Sequence, residues 1–307
     1  MKLKIPFASF NDEKNSDYIP LRFQREVLTH IFKNYYADKN PDFSTPLILA
    51  ISGAPGMGKS YQVEKTLELT KDKIMMKKMS GADFENEHAG VPEKNLRKLY
   101  MDVSDSILFK EIYYGVIMID DIDSALGKWD DLVQYTMNRQ LMIKTLIDLA
   151  DNPYKVDYVE DNKLESKPTR RVPFIVTLND EQKMYKPLMR NGRTRNFPWI
   201  PDREDIEMIL SSIFRDIDYD FDIMMMYDKL SKITQNTLPL SLFADLKSSL
   251  NNDVIWEIIK KEGINSSACD TFNQHLKNPK IYCIDDFIEV GLSLITENKN
   301  YLVEGGN

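Results

Sequence analysis

The sequence predicts an α/β fold: a parallel sheet flanked by helices and organised around a phosphate-binding loop, followed by a small all-α domain. Three observations carry this prediction. The stretch Gly53-Ala54-Pro55-Gly56-Met57-Gly58-Lys59-Ser60 fits the phosphate-loop pattern G-x-x-x-x-G-K-[ST] at every fixed position. Apolar runs of strand length alternate with helical patterns through the first 200 residues, as in a parallel sheet covered on both faces. Beyond Trp199–Pro201 the strand signal largely disappears and helical periodicity remains. The boundary is therefore placed there. Residues 1–200 form an α/β nucleotide-binding domain with a short N-terminal linker, and residues 201–307 form the helical domain.

The elements follow in order. Phe23, Val27, Leu28, Ile31, Phe32 and Tyr35 recur at helical spacing and predict an amphipathic helix ahead of the first strand. Strands are expected at 46–51, 73–79, 115–119 and 173–178, with helices at 60–70, 92–103 and 133–150. The segment Asp151–Arg171 is polar, mixes charges and carries two prolines, so it reads as a surface loop. Helices are expected in the second domain at Glu204–Phe214, Ile223–Ile233, Leu240–Leu250, Val254–Glu262 and Ile284–Thr296. The Met224-Met225-Met226 run reads as adaptable core filling.

Composition narrows the function classes. The 307 residues are 42% hydrophobic and 29% charged, ordinary for a globular protein with a sizeable core. A net charge of −8 argues against a broad electrostatic grip on nucleic acid or on an anionic membrane. Cys269 and Cys283 form no metal-ligand pattern and read as reduced thiols. No apolar run approaches the roughly 18 residues needed to span a bilayer, and the start Met1-Lys2-Leu3-Lys4-Ile5-Pro6 has no signal-peptide core. A cytoplasmic protein is expected.

The phosphate loop needs its context, and has it. Pro46–Ser52 leads in as a strand and Tyr61 onward leads out as a helix. Glycines let backbone N–H groups turn toward phosphates, and the helix N-terminus presents the positive end of its dipole. Lys59 then reaches the terminal phosphates of ATP, and Ser60 ligates Mg²⁺. Gly53–Ser60, with Tyr61 next in the chain, form the expected nucleotide-binding set. Val116-Ile117-Met118-Ile119-Asp120-Asp121 is an apolar strand ending in paired carboxylates, about 60 residues after the loop. Asp120 is expected to hold Mg²⁺ and Asp121 to orient the attacking water. Many phosphate-loop ATPases place Glu at the second position, and the shorter Asp121 predicts slower hydrolysis. Pro173–Asn179 is a further buried-strand pattern, with Asn179 at its tip positioned to contact the γ-phosphate or the water. Taken alone, Asn179 reads better as a strand-end turn residue. Arg190 and Arg193 flank Gly192 and suit arginine fingers that complete a neighbouring subunit's site. An exposed basic loop is the plain alternative.

In this order, and followed by a helical lid, these motifs make the chain resemble an AAA+ ATPase, and within that superfamily a Rubisco activase. The segments Phe84–Gly90, Gln134–Gln140, Ala150–Pro153, Thr177–Asp180, Leu188–Arg193, Pro201–Asp205 and Leu242–Lys247 carry the likeness, which runs from about Tyr18 to near the C-terminus. The resemblance implies a homo-oligomeric ring, usually a hexamer, with ATP between subunits, pore loops on a protein client, and Rubisco as one such client. It places His88 in the first pore loop, where the family carries an aromatic grip, and Trp129 in the second. A solvated loop residue and a packed anchor remain open for these two. Lys247 matches an arginine that senses the γ-phosphate; lysine keeps the charge and loses the bidentate fork. Two other classes stay in view: a slow nucleotide-gated scaffold, and an ATPase linked to nucleic acid in the manner of a helicase loader, which the acidic balance disfavours.

Overall fold

A computed structural model describes residues 17–70, 74–80, 83, 88, 90–109, 111–123, 133–160, 163–277 and 281–297. The chain divides into two compact units, one comprising Ile19–Gly53 with Lys59–Trp199, and the other Ala54–Gly58 with the chain from Ile200 onward.

In the first unit, helix α1 (Leu21–Lys39) precedes strand β1 (Ile48–Ser52). Then come α2 (Lys59–Glu68), β2 (Ile74–Ser80), α3 (Val91–Leu108), β3 (Tyr114–Asp120) and α4 (Val133–Asp151). The unit continues with β4 (Lys155–Glu160), β5 (Lys163–Pro168), β6 (Phe174–Leu178) and β7 (Thr194–Pro198). Five strands form one parallel sheet in the order β2-β3-β6-β1-β7. The central strands β1 and β6 are buried at every position, which is why they read as unbroken apolar runs. In register, Ser52 pairs with Leu178 and Ser80 with Asp120, so the carboxyl ends of the strands line up. In open α/β sheets that edge is where ligands bind.

Three features of the first unit differ from the sequence expectation. The segment expected as a loop over Asp151–Arg171 contains the antiparallel hairpin β4–β5, with Lys155 opposite Pro168 and Glu160 opposite Lys163. Val156 is buried, but most of the hairpin's other side chains face solvent, so the pattern lacks the apolar content that marks a strand. Strand β7 was not expected at all. It is a short edge strand, Thr-Arg-Asn-Phe-Pro, paired on one side only, and its polar residues and terminal proline suit an exposed edge. Helix α1 is amphipathic as expected, yet its buried face includes His30 and Asn34, whereas Phe32 is 56% exposed. His30 Nε2–H donates to the Phe174 carbonyl (3.1 Å), and Asn34 Nδ2 donates to the carbonyls of His30 and Pro46, both at 3.0 Å. These polar groups satisfy backbone carbonyls at the strand starts, which an apolar side chain cannot do. Asp38 then accepts from Arg170 Nε (2.7 Å) and the Arg171 N–H (2.9 Å), tying α1 to the entry of β6.

The second unit holds α5 (Arg203–Ile213), α6 (Ile223–Thr234), α7 (Leu240–Ser249), α8 (Asn252–Glu262), α9 (Ser266–Lys277) and α10 (Ile284–Glu297). Asp202 caps α5 by accepting from the Asp205 N–H, and Asp205 returns the bond to the Asp202 N–H. Leu210, Phe214, Leu230, Leu242, Phe243, Leu246 and Phe287 pack into its core. Helix α9 was not expected: Ala268, Phe272 and Leu276 lie at helical spacing, but Ser266, Ser267, Asp270 and Thr271 at its start are residues that favour turns. No helix of the described residues is long and apolar enough to cross a membrane.

Candidate nucleotide-binding and hydrolytic site

The chain leaves β1 at Ser52, turns through Gly53–Gly58 and enters α2 at Lys59. Two positions show why glycine is required. A Cβ at Gly53 would lie 2.4 Å from the Trp199 carbonyl oxygen, and Gly56 sits at φ 75°, where side chains are strained. The first-turn N–H groups of α2 have no intrahelical partners, so the loop opens onto a helix N-terminus suited to anions.

Lys59 is 5% exposed, and its Nζ donates to the Gly53 carbonyl (2.7 Å) and to Asn179 Oδ1 (2.8 Å). Burial lowers its pKa, and the nearby Asp121, Asp123 and Asp120 carboxylates oppose that shift. The ammonium is thus held in a field of three carboxylates at the strand tips. Ser60 Oγ donates to Asp120 Oδ1, which also accepts from Thr177 Oγ1 (2.6 Å). Asp120 Oδ2 lies 3.0 Å from Lys78 Nζ, which also donates to Glu64 Oε1 (2.8 Å). Burial raises the Asp120 pKa, but the hydrogen bonds from Ser60, Thr177 and Lys78 outweigh it and hold the group below the usual carboxylate range.

Asp121 behaves oppositely. Burial and the adjacent Asp120 charge raise its pKa, with Lys59 working against them. Its backbone sits at φ 48°, a left-handed conformation uncommon for a residue with a side chain. The Asp121 N–H donates to Thr177 Oγ1 (2.9 Å), which fixes that turn.

The expected residues do not all come together. Lys59, Ser60, Asp120 and Asn179 are joined by the hydrogen bonds above, with Asp121 beside them. Arg193 is engaged elsewhere: its Nε and Nη2 meet both Asp151 carboxylate oxygens at 2.6 and 2.7 Å, and Nη1 donates to the Pro187 carbonyl (2.7 Å). Arg190 is exposed in the same loop. Lys247, in the second unit, forms an ion pair with Asp216. Tyr61 is half-exposed on α2, and Met57 is buried in the loop. His88 is exposed, while Trp129 lies outside the described residues.

Sequence reasoning missed Thr177, Asp123 and Lys78. Thr177 is fully buried, and a lone hydroxyl inside the apolar strand Phe-Ile-Val-Thr-Leu was its signal. Asp123 accepts the N–H groups of Asn179 and Asp180, but in sequence it is only a third acid after a pair.

The donor set fits Mg²⁺. Ser60 Oγ and the Asp120 carboxylate are hard oxygen ligands already brought together. Among the described residues no group of three or more His, Cys, Asp or Glu side chains could hold a metal. Mg²⁺ takes one or two carboxylates and completes its shell with water and phosphate oxygens.

Residues 49–201 match the family described as "ATPase family associated with various cellular activities (AAA)". Over 301 residues the chain is 32% identical to the chloroplastic ribulose bisphosphate carboxylase/oxygenase activase of Zea mays, covering 95% of this chain and 66% of that protein. It is 32% identical to the activase of Anabaena sp., covering 94% and 66%, and 33% identical to the chloroplastic activase of Cucumis sativus, covering 95% and 69%. The chain is an AAA ATPase of the Rubisco activase-like group. It spans about two thirds of the length of these relatives.

Proposed function

We propose that this AAA protein binds ATP with Mg²⁺, hydrolyses it, and uses the cycle to remodel a protein client as a member of a ring, usually a hexamer in this superfamily. The observation that carries the reading is the hydrogen-bonded cluster Lys59–Asn179 and Ser60–Asp120–Thr177 at the end of a phosphate loop. In that reading Ser60 and Asp120 hold the metal, and Lys59 places its charge against the terminal phosphates. Held there, Mg²⁺ would supply neutralisation of the phosphate charge. Asp121 holds the lytic water and draws on its proton as the water attacks. Asp121 is the residue next to the metal carboxylate, just past the end of β3. Asn179 marks the γ-phosphate through its amide. Arg190 and Arg193 lie on an exposed loop, as groups that complete a neighbour's site must.

The client is proposed by analogy with the relatives, whose names make Rubisco the first candidate. An Asp121→Asn form, expected to bind ATP and hydrolyse it poorly, would be used to capture partners from the native cell. Recovery of Rubisco supports the activase reading, and recovery of a different protein assigns the motor another task. Lys59→Ala is expected to abolish ATP binding, and unchanged affinity in that variant would sink the site itself.

One observation favours a slower, scaffold-like protein. Arg193 is clamped by Asp151 within its own chain, which would limit turnover until assembly releases it. Measured turnover with and without candidate clients separates motor from scaffold.

A further inference from the structure

Asp123 stands three residues beyond the metal carboxylate and is 4% exposed. Its Oδ2 accepts two backbone N–H groups, from Asn179 at 3.0 Å and from Asp180 at 3.1 Å. These are the first two residues after β6. Its Oδ1 is buried with no hydrogen-bond partner among the described residues. A half-satisfied buried carboxylate is costly, so burial alone does not account for an acid at this position. Its reward is geometric. Charge-assisted bonds to backbone N–H groups are among the stronger hydrogen bonds in proteins, and here they fix where the chain turns after β6. That turn aims the Asn179 amide, whose Oδ1 already meets Lys59 Nζ. A reciprocal tie runs the other way: Thr177, in β6, holds Asp120 and the Asp121 N–H at the end of β3.

We infer that Asp123 is a positioning residue for hydrolysis: it sets Asn179 through its backbone and locks the β6 tip to the β3 tip, so that the γ-phosphate contact and the hydrolytic carboxylates hold one geometry. The inference rests on the ATPase reading and goes beyond it, because Asp123 itself touches no phosphate, metal or water in that scheme. Near-attack geometry is demanding, and a misplacement of about 1 Å can cost on the order of a hundredfold in rate.

The test compares Asp123→Ala, Asp123→Asn, Asp123→Glu, Asn179→Ala and the double Asp123→Ala/Asn179→Ala variant in the full chain. Phosphate release gives kcat and KM, calorimetry gives ADP affinity, and thermal melting gives stability. Wild-type turnover and its loss in Lys59→Ala test the ATPase reading separately. Asp123→Ala is expected to lower kcat by about tenfold to a hundredfold while ADP affinity changes by less than about threefold. Asp123→Asn keeps one oxygen acceptor and recovers most of that loss. Asp123→Glu keeps charge and polarity but moves the acceptor by a methylene, so it lowers kcat without lowering ADP affinity. The double variant is no slower than Asn179→Ala alone. Unchanged kcat in Asp123→Glu, or losses that add in the double variant, would overturn the inference. So would a parallel fall of kcat, ADP affinity and melting temperature that Asn does not relieve. If Asp123→Ala does not fold, the Asn and Glu variants decide between the same outcomes.

Discussion

Lys78 competes for the carboxylate that the proposed metal needs. Its Nζ lies 3.0 Å from Asp120 Oδ2, and it is held from the other side by Glu64. Hydrogen bonds that it donates to Glu64 and Asp120 raise its pKa, so it stays charged through the neutral range. A partly exposed pair of this kind is worth at most about 1 kcal/mol, which converts to roughly fivefold in an equilibrium. Replacing Lys78 with Met is therefore expected to lower the Mg²⁺ concentration for half-maximal nucleotide binding by up to about fivefold. A Mg²⁺ titration of ATP binding reads it, and a rise instead would mean that Lys78 orients Asp120 for the ion. His30 gives a prediction of another kind. Burial lowers its pKa from 6.5 to about 4, so it is neutral in the folded protein near pH 7. The unfolded chain takes up a proton below about pH 6.5 and the folded one does not until about pH 4. Its contribution is therefore complete above pH 6.5 and declines as pH falls toward 4, by a total on the order of 3 kcal/mol. Denaturant unfolding at a series of pH values should show that slope, and His30→Gln should flatten it.

At the scale of elements, the packing of α3 on β3 turns on one missing methyl group. A Cβ at Gly115 would sit 2.4 Å from Val103 Cγ1, so the helix approaches the strand only because glycine is there. Gly115→Ala is expected to cost about 1–3 kcal/mol by overpacking. Adding Val103→Ala should return part of that loss, because it removes the clashing methyl. Purely additive losses in the double variant would refute the account. The same scale shows what sequence could and could not supply. Strands β1, β3 and β6 are legible because burial on both faces demands unbroken apolar runs, and the phosphate loop is legible because its chemistry constrains neighbours in the chain. The hairpin β4–β5 and the edge strand β7 are not, since exposed strands need no such runs. In the site, Lys59, Ser60, Asp120 and Asn179 announce themselves by lying at strand ends or in the loop. Thr177, Asp123 and Lys78 owe their importance to partners at least 42 residues away or across a strand pair, and no local pattern encodes those distances. His30 and Asn34 lie on the buried face of α1 for the same reason: their partners are carbonyls at strand starts remote in sequence or across a turn.

For the whole molecule, Arg193 decides whether the proposed ring shares its sites. Within one chain it is committed to Asp151 through two parallel bonds and to the Pro187 carbonyl through a third. Serving a neighbour's phosphates would require it to leave Asp151. The magnitudes allow this. An exposed ion pair is worth about 0.2–1 kcal/mol, whereas an arginine finger on a phosphoryl group contributes on the order of a thousandfold or more to turnover. In the shared-site scheme the gain at the transition state would exceed the cost of leaving Asp151, and the Asp151 pair would act as a weak brake on the isolated chain. Three results follow from this scheme. Turnover per subunit rises with protein concentration. Arg193→Ala keeps ADP binding but loses hydrolysis. Asp151→Asn, which leaves Arg193 without its charged partner, reaches half-maximal turnover at a protein concentration lower by up to about fivefold. Steady-state phosphate release over a protein dilution series measures all three. Full activity in Arg193→Ala, or turnover per subunit that does not change on dilution, would sink the shared-site scheme and leave a chain that completes its own site.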